Sequence, residues 1–199
     1  MLLESVFGKA DHARLASRLT KPAGGADVVL DTDAYNEIDD QFALAYLVRS
    51  APFCRVRAMT AAPFFSLPVP GRVSRSDSPG DGMEKSYHEI LKVLSLMGRQ
   101  DLAPLVFRGA ERSLPAPLEP APSEAARKII EISKEYHAGR PLYLVAIGAL
   151  TNIASALLMD PSLRERVVVV WLGGHGRHYH PFPDYNMEQD LPAARVVFG

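Results

Sequence analysis

The segment Ala26-Asp-Val-Val-Leu-Asp-Thr-Asp-Ala-Tyr-Asn-Glu-Ile-Asp-Asp40 joins a short run of β-branched residues to a cluster of acids. Residues 26–30 are typical of a buried strand. Five of the ten residues from Asp31 to Asp40 are acidic, and none of the ten is basic. The segment therefore predicts carboxylates at the carboxyl end of a strand, which is the edge where open α/β sheets bind ligands.

Strand-like and helical patterns alternate along the rest of the chain. This alternation predicts right-handed βαβ units, and hence an α/β fold with an open, mostly parallel sheet, helices on both faces and a Rossmann-like core. We expect a helical extension over residues 1–25 and one α/β domain over residues 26–199. The further predicted strands are 56–60, 105–107, 141–147 and 167–172, and the predicted helices are 4–19, 39–49, 83–97, 123–137, 151–159 and one from about residue 192.

Composition narrows the class of protein. The formal net charge is -1, which gives no electrostatic case for binding nucleic acid or an anionic membrane surface. Cys54 is the single cysteine, so an internal disulfide is excluded. The first residues lack the order of a signal peptide, and no apolar run approaches the ~20 residues that span a bilayer. We expect a soluble, cytoplasmic protein.

The acidic cluster has two interpretations. Asp39 and Asp40 can cap a helix while Asp31 and Asp33 make turns, as single aspartates often do. Alternatively, the crowded carboxylates repel one another in a medium of low dielectric constant, and a bound cation relieves that repulsion. Oxygen ligands suit calcium or magnesium, and a loop-built site suits calcium better.

Three separated motifs resemble the nucleoside hydrolase family, the calcium-dependent enzymes that cleave the N-glycosidic bond of ribonucleosides. Asp31-Thr-Asp33 with Asp39-Asp40 is similar to the family's DxD…DD motif. Residues 147–154, Ile-Gly-Ala-Leu-Thr-Asn-Ile-Ala, are similar to its G-x-L-T-N-I-A motif. The third motif, M-G-G…E-F-N…D-P-E-A-A in the family, corresponds to Trp171-Leu-Gly-Gly174, Asp184-Tyr-Asn186 and Asp190-Leu-Pro-Ala-Ala194.

The resemblance implies hydrolysis of purine or pyrimidine ribonucleosides to ribose and free base, a role in nucleoside salvage, and a homo-oligomer. It implies Asp33 as metal ligand and as the base for the attacking water, Asp40 as bidentate metal ligand, and the backbone carbonyl of Ile147 as a further ligand. Asp31 would hold the loop from behind the site. The implied substrate-binding residues are Asp39, Asp184, Asn186 and, in the histidine-containing loop, His178.

The chain departs from the family pattern in four places. The spacing from Asp33 to Asp39 is two residues longer, so that either Asn36 or Glu37 can enter the site. Residues 61–65 replace a Gly-Asn pair, and Asp184 replaces a glutamate. Family members also continue past the position of Gly199 and supply another aspartate ligand there. We therefore expect the fold to be incomplete at its C-terminus, and an alternative function is a truncated, catalytically impaired ribose- or nucleoside-binding protein.

Other signals leave alternatives open. The loop His175-Gly-Arg-His-Tyr-His180 can be a polar surface loop, a substrate contact or a zinc site. Gly173-Gly174 favours a tight turn over a phosphate cradle, because no Walker lysine follows. Asp31-x-Asp33 also suggests a phosphatase of the haloacid type, although Tyr35 stands where that class needs Thr or Val.

Overall fold

The computed structural model describes residues 16, 18–22, 24–66, 76–115, 118–175 and 184–199. Five strands form one sheet in the order β3-β2-β1-β4-β5, and every neighbouring pair is parallel. The predicted open α/β sheet is thus confirmed. The strands are β1 (Ala26–Thr32), β2 (Cys54–Ala61), β3 (Val106–Phe107), β4 (Leu142–Ala146) and β5 (Val167–Trp171).

Six α-helices within these residues accompany the sheet, together with two short 3-10 helices. The α-helices are α1 (Ile38–Arg49), α2 (Pro79–Leu96), α3 (Glu124–Ser133), α4 (Thr151–Met159), α5 (Tyr185–Gln189) and α6 (Leu191–Phe198), and the 3-10 helices are Gln100–Leu105 and Pro161–Glu165. None of the described helices is long and apolar enough to cross a membrane.

Helices cover both faces of the sheet. Successive residues of a strand point to opposite faces, so each strand contributes side chains to two apolar layers. Leu30 and Met59 pack with α1 and α2, whereas Val29 and Leu144 pack with α3, α4 and α6. Each of these four side chains is at most 2% exposed. Burial of one such side chain contributes roughly 1.5–3 kcal/mol, so the two apolar layers fix the order of the strands and the edge at which they end.

Several elements differ from their predicted bounds for local reasons. Helix α2 begins at Pro79, four residues before the predicted start, because the Ser78 hydroxyl accepts the Asp81 N–H at 3.1 Å and Pro79 suits a first helical turn. Helix α3 ends at Ser133, and an antiparallel bridge between His137 and Arg140 replaces its predicted last turn. The short helix α5 is absent from the predicted elements.

Helix α1 occupies the predicted segment, but the face with Phe42 and Tyr46 points outward, with these rings 69% and 78% exposed. Its buried positions are Asp40, Leu44 and Val48. The predicted N-terminal helix lies mostly outside the described residues. Within them, the Arg18 guanidinium donates to the Val167 carbonyl at 2.8 Å, beside the start of β5.

Candidate active site

The site lies where the order of the strands reverses direction. Strand β1 sits in the middle of the sheet, with β2 on one side and β4 on the other. The chain leaves β1 toward β2 and β3, and only later returns to the other side as β4 and β5. At such a switch point the loops that follow the two central strands diverge and leave a crevice.

Asp31 stands at this point, near the carboxyl end of β1, where it pairs with Thr60 of β2 and Ala146 of β4. Its side chain is 1% exposed. One carboxylate oxygen, Oδ1, accepts a hydrogen bond from the Thr60 hydroxyl at 2.6 Å and another from Asn152 Nδ2 at 2.9 Å. The other oxygen, Oδ2, is buried and has no hydrogen-bond partner among the described residues.

Asn152 ties together the loops around the site. Besides Asp31, its Nδ2 group donates to the Ala61 carbonyl at 3.0 Å, and its Oδ1 atom accepts the Ala110 N–H at 2.9 Å. The residue is fully buried in the first turn of α4. Asn152 thus joins the ends of β1 and β2 to the loop after β3. In the sequence Asn152 belongs to the second motif, but no pattern there assigns it this role.

Asp33 and Asp40 form the second part of the site, immediately after β1 and in the first turn of α1. They are 2% and 5% exposed. Asp33 Oδ2 accepts a hydrogen bond from Asn36 Nδ2 at 2.9 Å, and Asp40 Oδ2 accepts one from the Thr32 hydroxyl at 2.8 Å. Of the two residues that the longer spacing could bring into the site, Asn36 is buried there and Glu37 is exposed.

Burial without a cation raises the pKa of all three carboxyl groups. Burial raises the pKa of Asp31 to about 7, against the hydrogen bonds from Thr60 and Asn152. Burial likewise raises the pKa of Asp33, and the pKa of Asp40 rises further because the charge of Asp33 lies beside it. Within the described part of the chain, no ion pair involves any of the three. The site therefore holds either protons or a cation.

Gly148 provides the space that Asp33 occupies. A Cβ atom placed on Gly148 would lie 2.7 Å from Asp33 Oδ1, so a side chain there would displace the carboxylate. The Gly148 carbonyl accepts the indole N–H of Trp171 at 3.0 Å, which holds the end of β4 to β5. Because Asn36 binds Oδ2, Oδ1 is the Asp33 oxygen that faces Gly148.

The carbonyl of Ile147, predicted as a metal ligand, already has a partner. Asn186 Nδ2 donates to it at 3.0 Å and also donates to the Leu172 carbonyl at 2.9 Å. Asp184, predicted to bind substrate, caps α5 by accepting the Met187 N–H at 2.8 Å. The structure therefore brings Asn186 to the predicted metal-binding carbonyl and gives Asp184 a helix-capping contact.

Two predicted site residues remain, Asp39 and His178. Asp39 is exposed in the first turn of α1. His178 lies outside the described residues, so the alternatives for the histidine-containing loop stay open. The predicted tight turn is supported at Gly173-Gly174, where Gly174 has a φ of 77° and the Trp171 ring leaves no room for a side chain on Gly173.

The donor chemistry fits a hard cation in part. Asp33, Asp40 and the Ile147 carbonyl supply oxygen ligands only, and the orphaned Oδ2 of Asp31 shows that the buried charge lacks compensation. Within the described ranges, however, no three His, Cys, Asp or Glu side chains are grouped so that they could hold a metal ion. These residues would therefore supply only part of the six to eight ligands that calcium takes.

The sequence is similar to those of known nucleoside hydrolases. Residues 28–199 match the family described as inosine-uridine preferring nucleoside hydrolase. The pyrimidine-specific ribonucleoside hydrolase RihA of Photobacterium profundum is 31% identical over 140 residues, which is 58% of this chain and 44% of that protein. The inosine-uridine preferring nucleoside hydrolase of Leishmania major is 38% identical over 66 residues, 32% of this chain and 21% of that protein.

Solved structures of similar proteins share the fold. A plant nucleoside hydrolase, PpNRh1, superposes with a TM-score of 0.61 at 25% identity, over 87% of this chain and 56% of that one. An inosine-guanosine nucleoside hydrolase superposes with a TM-score of 0.64 at 23% identity, again over 87% and 56%. The chain thus spans about half the length of the relatives that it matches.

Proposed function

The chain belongs to the inosine-uridine preferring nucleoside hydrolase family, and from that premise we propose that it hydrolyses the N-glycosidic bond of purine or pyrimidine ribonucleosides to ribose and free base. One observation supports this above all. Asp31, Asp33 and Asp40 are buried together at the switch point of the sheet, and no described ion pair neutralises them. A haloacid-type phosphatase is not favoured by the family match.

Calcium is the proposed cofactor, with magnesium less suited to a loop-built set of oxygen ligands. Asp33, Asp40 and the Ile147 carbonyl would hold it. When bound, such an ion lowers the pKa of a water molecule and orients ribose hydroxyl groups. Both Asp33 and Asp40 would then be ionised, because a nearby divalent charge opposes the effect of burial on their pKa values.

Asp33 is the proposed base. Its Oδ2 is engaged by Asn36, so Oδ1 takes the proton from the attacking water. The water oxygen forms a bond to the anomeric carbon, the C–N bond breaks, and its electron pair leaves with the nucleobase. The nucleobase takes up a proton from the solvent, and Asp33 releases to the solvent the proton that it took from the water. The neighbouring carboxylates stabilise the positive charge that develops on the ribose.

Ribose binding is proposed for Asp39, Asp184, Asn186 and His178. The position of Asn186 supports ribose binding best, because its side-chain amide donates to the Ile147 carbonyl at the edge of the crevice. A ribose hydroxyl that accepts from this amide would release the carbonyl toward the cation. Asp39 stands at the open rim, where a diol could reach its carboxylate.

The test is release of ribose from inosine and uridine by this chain, with calcium and with EDTA. We expect release in calcium and loss of release in EDTA. If a panel of purine and pyrimidine ribosides yields no ribose in calcium, the hydrolase proposal fails. Ribose release that persists in EDTA would contradict the proposed calcium requirement and leave the hydrolase proposal standing.

A second candidate is a ribose- or nucleoside-binding protein of the same fold that does not turn over. It is favoured by the partial donor set, since two carboxylates and one carbonyl leave most of a calcium shell to other groups. Calorimetric titration with inosine and uridine separates the two candidates. Binding without ribose release supports the second, and the cytoplasmic location, salvage role and homo-oligomer stay predictions in either case.

A further inference from the structure

Asn36 belongs to the longer loop between Asp33 and Asp39, and it is 4% exposed. Its backbone N–H donates to the Asp33 carbonyl at 2.7 Å and closes a β-turn. Its side chain makes a second, separate contact, in which Nδ2 donates to Asp33 Oδ2 at 2.9 Å. Since the backbone bond already closes the turn, the side-chain bond serves the carboxylate and not the turn.

The orientation of the Asn36 amide is determined by its neighbours. The Tyr185 hydroxyl lies 3.5 Å from Asn36 Oδ1 and 3.4 Å from the Phe65 carbonyl, so its single O–H faces two acceptors. When Asp33 is ionised its carboxylate can only accept, so the amide nitrogen of Asn36 faces Asp33 and the amide oxygen lies on the side of Tyr185. Tyr185 is the first residue of α5, and α5 also carries Asn186. One hydrogen-bonded chain thus links the helix with Asn186 to Asp33.

The consequence for Asp33 is a fixed orientation of its carboxylate plane, with one oxygen on Asn36 and the other near Gly148. With Oδ2 held by Asn36, rotation of the carboxylate would break a buried hydrogen bond and leave a polar atom without a partner. Oδ1 therefore stays on the side of Gly148, next to the end of β4. A fixed carboxylate is an advantage for a general base that takes a proton from a single water molecule, because a misplaced oxygen raises the barrier to proton transfer.

We propose that Asn36 is a positioning residue, which holds the Asp33 carboxylate with Oδ1 on the side of Gly148, and that the long contact from Tyr185 supports the orientation of Asn36. This inference rests on the proposed function for the part that concerns turnover. Residues that orient catalytic or metal-binding groups in this way typically contribute 10- to 100-fold to affinity or activity.

Two variants test the proposal. Asn36→Asp keeps the shape but removes the N–H donor, and Asn36→Leu keeps the approximate size without adding charge. We expect both to lower kcat for ribose release about 10- to 100-fold with KM nearly unchanged. Calorimetry should show calcium binding to Asn36→Leu weakened by a similar factor. Tyr185→Phe should give a smaller decrease in kcat, because its contact is long.

Glu37→Gln is the matched control from the same loop, because Glu37 is exposed and the change removes a charge without changing size. It should retain the kcat of the parent chain. Folded Asn36→Leu and Asn36→Asp proteins with the parent kcat and calcium affinity would overturn the proposal. So would a Glu37→Gln protein that loses as much kcat as they do.

A third readout separates this proposal from the hydrolase function. If the parent chain releases no ribose, the proposed function fails, and crystal structures of the parent and Asn36→Leu proteins still decide the role of Asn36, because leucine removes the donor without adding a charge. A rotated Asp33 carboxylate in the variant supports positioning by Asn36. An unchanged carboxylate shows that other contacts hold it, and the proposal is then wrong.

Discussion

The two ends of strand β1 carry buried or shielded aspartates in opposite electrostatic settings. At the amino end, Asp27 is bound by Arg55 through two hydrogen bonds of 2.6 Å, by the Tyr136 hydroxyl at 2.7 Å and by Arg140 at 3.1 Å. The hydrogen bond from Arg55 is the main reason why the pKa of Asp27 is lowered. At the carboxyl end, Asp31 has only neutral donors, and burial raises its pKa.

The difference separates a carboxylate that is neutralised inside the protein from the carboxylates that we propose to be functional. Asp27 satisfies its charge inside the protein, so it needs nothing else to bind. Asp31, Asp33 and Asp40 retain an unmet demand for positive charge, which a ligand can supply. Acidity alone thus does not distinguish the two ends of the strand, and the proposal of a site at the carboxyl end rests on buried carboxylates that have no cationic partner among the described residues.

The largest expected difference between the two ends is in turnover. Asp33→Asn removes the proposed base and should lower kcat for ribose release about 10²- to 10⁴-fold, since general base catalysis contributes that much. Asp27→Asn should leave the kcat of the folded protein unchanged, because it lies about 20 Å away along the strand. A kinetic comparison at matched fractions of folded protein checks this. Equal losses in both variants would mean that the two ends do not differ in function.

The next effect is on stability against pH. The pKa of Asp31 is raised in the folded state, so its contribution is fully present below about pH 4 and is lost as pH rises through about 7. In EDTA at pH 8, the unfolding free energy of Asp31→Asn should therefore exceed that of the parent chain by on the order of 3 kcal/mol, which raises its unfolding temperature, and no such gain should appear at pH 4. Thermal melting at both pH values checks this, and a gain of equal size at both would contradict it.

Removal of the Asp27 carboxylate should have a smaller effect on the unfolding free energy. Asp27→Ala leaves Arg55, Arg57 and Arg140 without their shared carboxylate, and we expect about 2 kcal/mol lower unfolding free energy. Urea denaturation at pH 7 measures it. The loss should decline below about pH 4, because the lowered pKa of Asp27 means that its stabilising charge disappears there. A loss that is independent of pH would assign the effect to packing.

The smallest effect is expected for one arginine of the same cluster. The Arg55 side chain is 60% exposed, so Arg55→Ala should cost less than about 1 kcal/mol, and less still in high salt. Urea denaturation in low and high salt checks this. A larger, salt-independent loss would show that the amino end of β1 depends on a single ion pair.

Much of the fold could be predicted from local sequence. The predicted bounds of helix α4 agree with the observed ones, because Thr151 follows a strand and Pro161 prevents continuation. The five strands and the helices α1 to α4 and α6 also follow in the predicted order, since apolar periodicity is a property of each segment. Exposure was harder to predict: Phe42 and Tyr46 have helical spacing, yet packing of the opposite face of α1 against the sheet decides which side is buried.

Only those site contacts that join residues close in sequence could be predicted. Asp33 and Asp40 are close in sequence, and their meeting follows from one turn and one helix start. The contact of Asn152 with Asp31 joins residues 121 positions apart, and no pattern within either segment specifies it. The choice between Asn36 and Glu37 depended on the turn at Asp33, which periodicity does not describe.

The distance in sequence between Asp31 and Asn152 also has a consequence during synthesis of the chain. At about 5–20 residues per second, a ribosome makes Asn152 roughly 6–24 seconds after Asp31. Until β4 pairs with β1, Asp31 lacks both this donor and the neighbouring strand that buries it. The burial that raises the pKa of Asp31 is therefore complete only after the later half of the sheet has been made and has paired with β1.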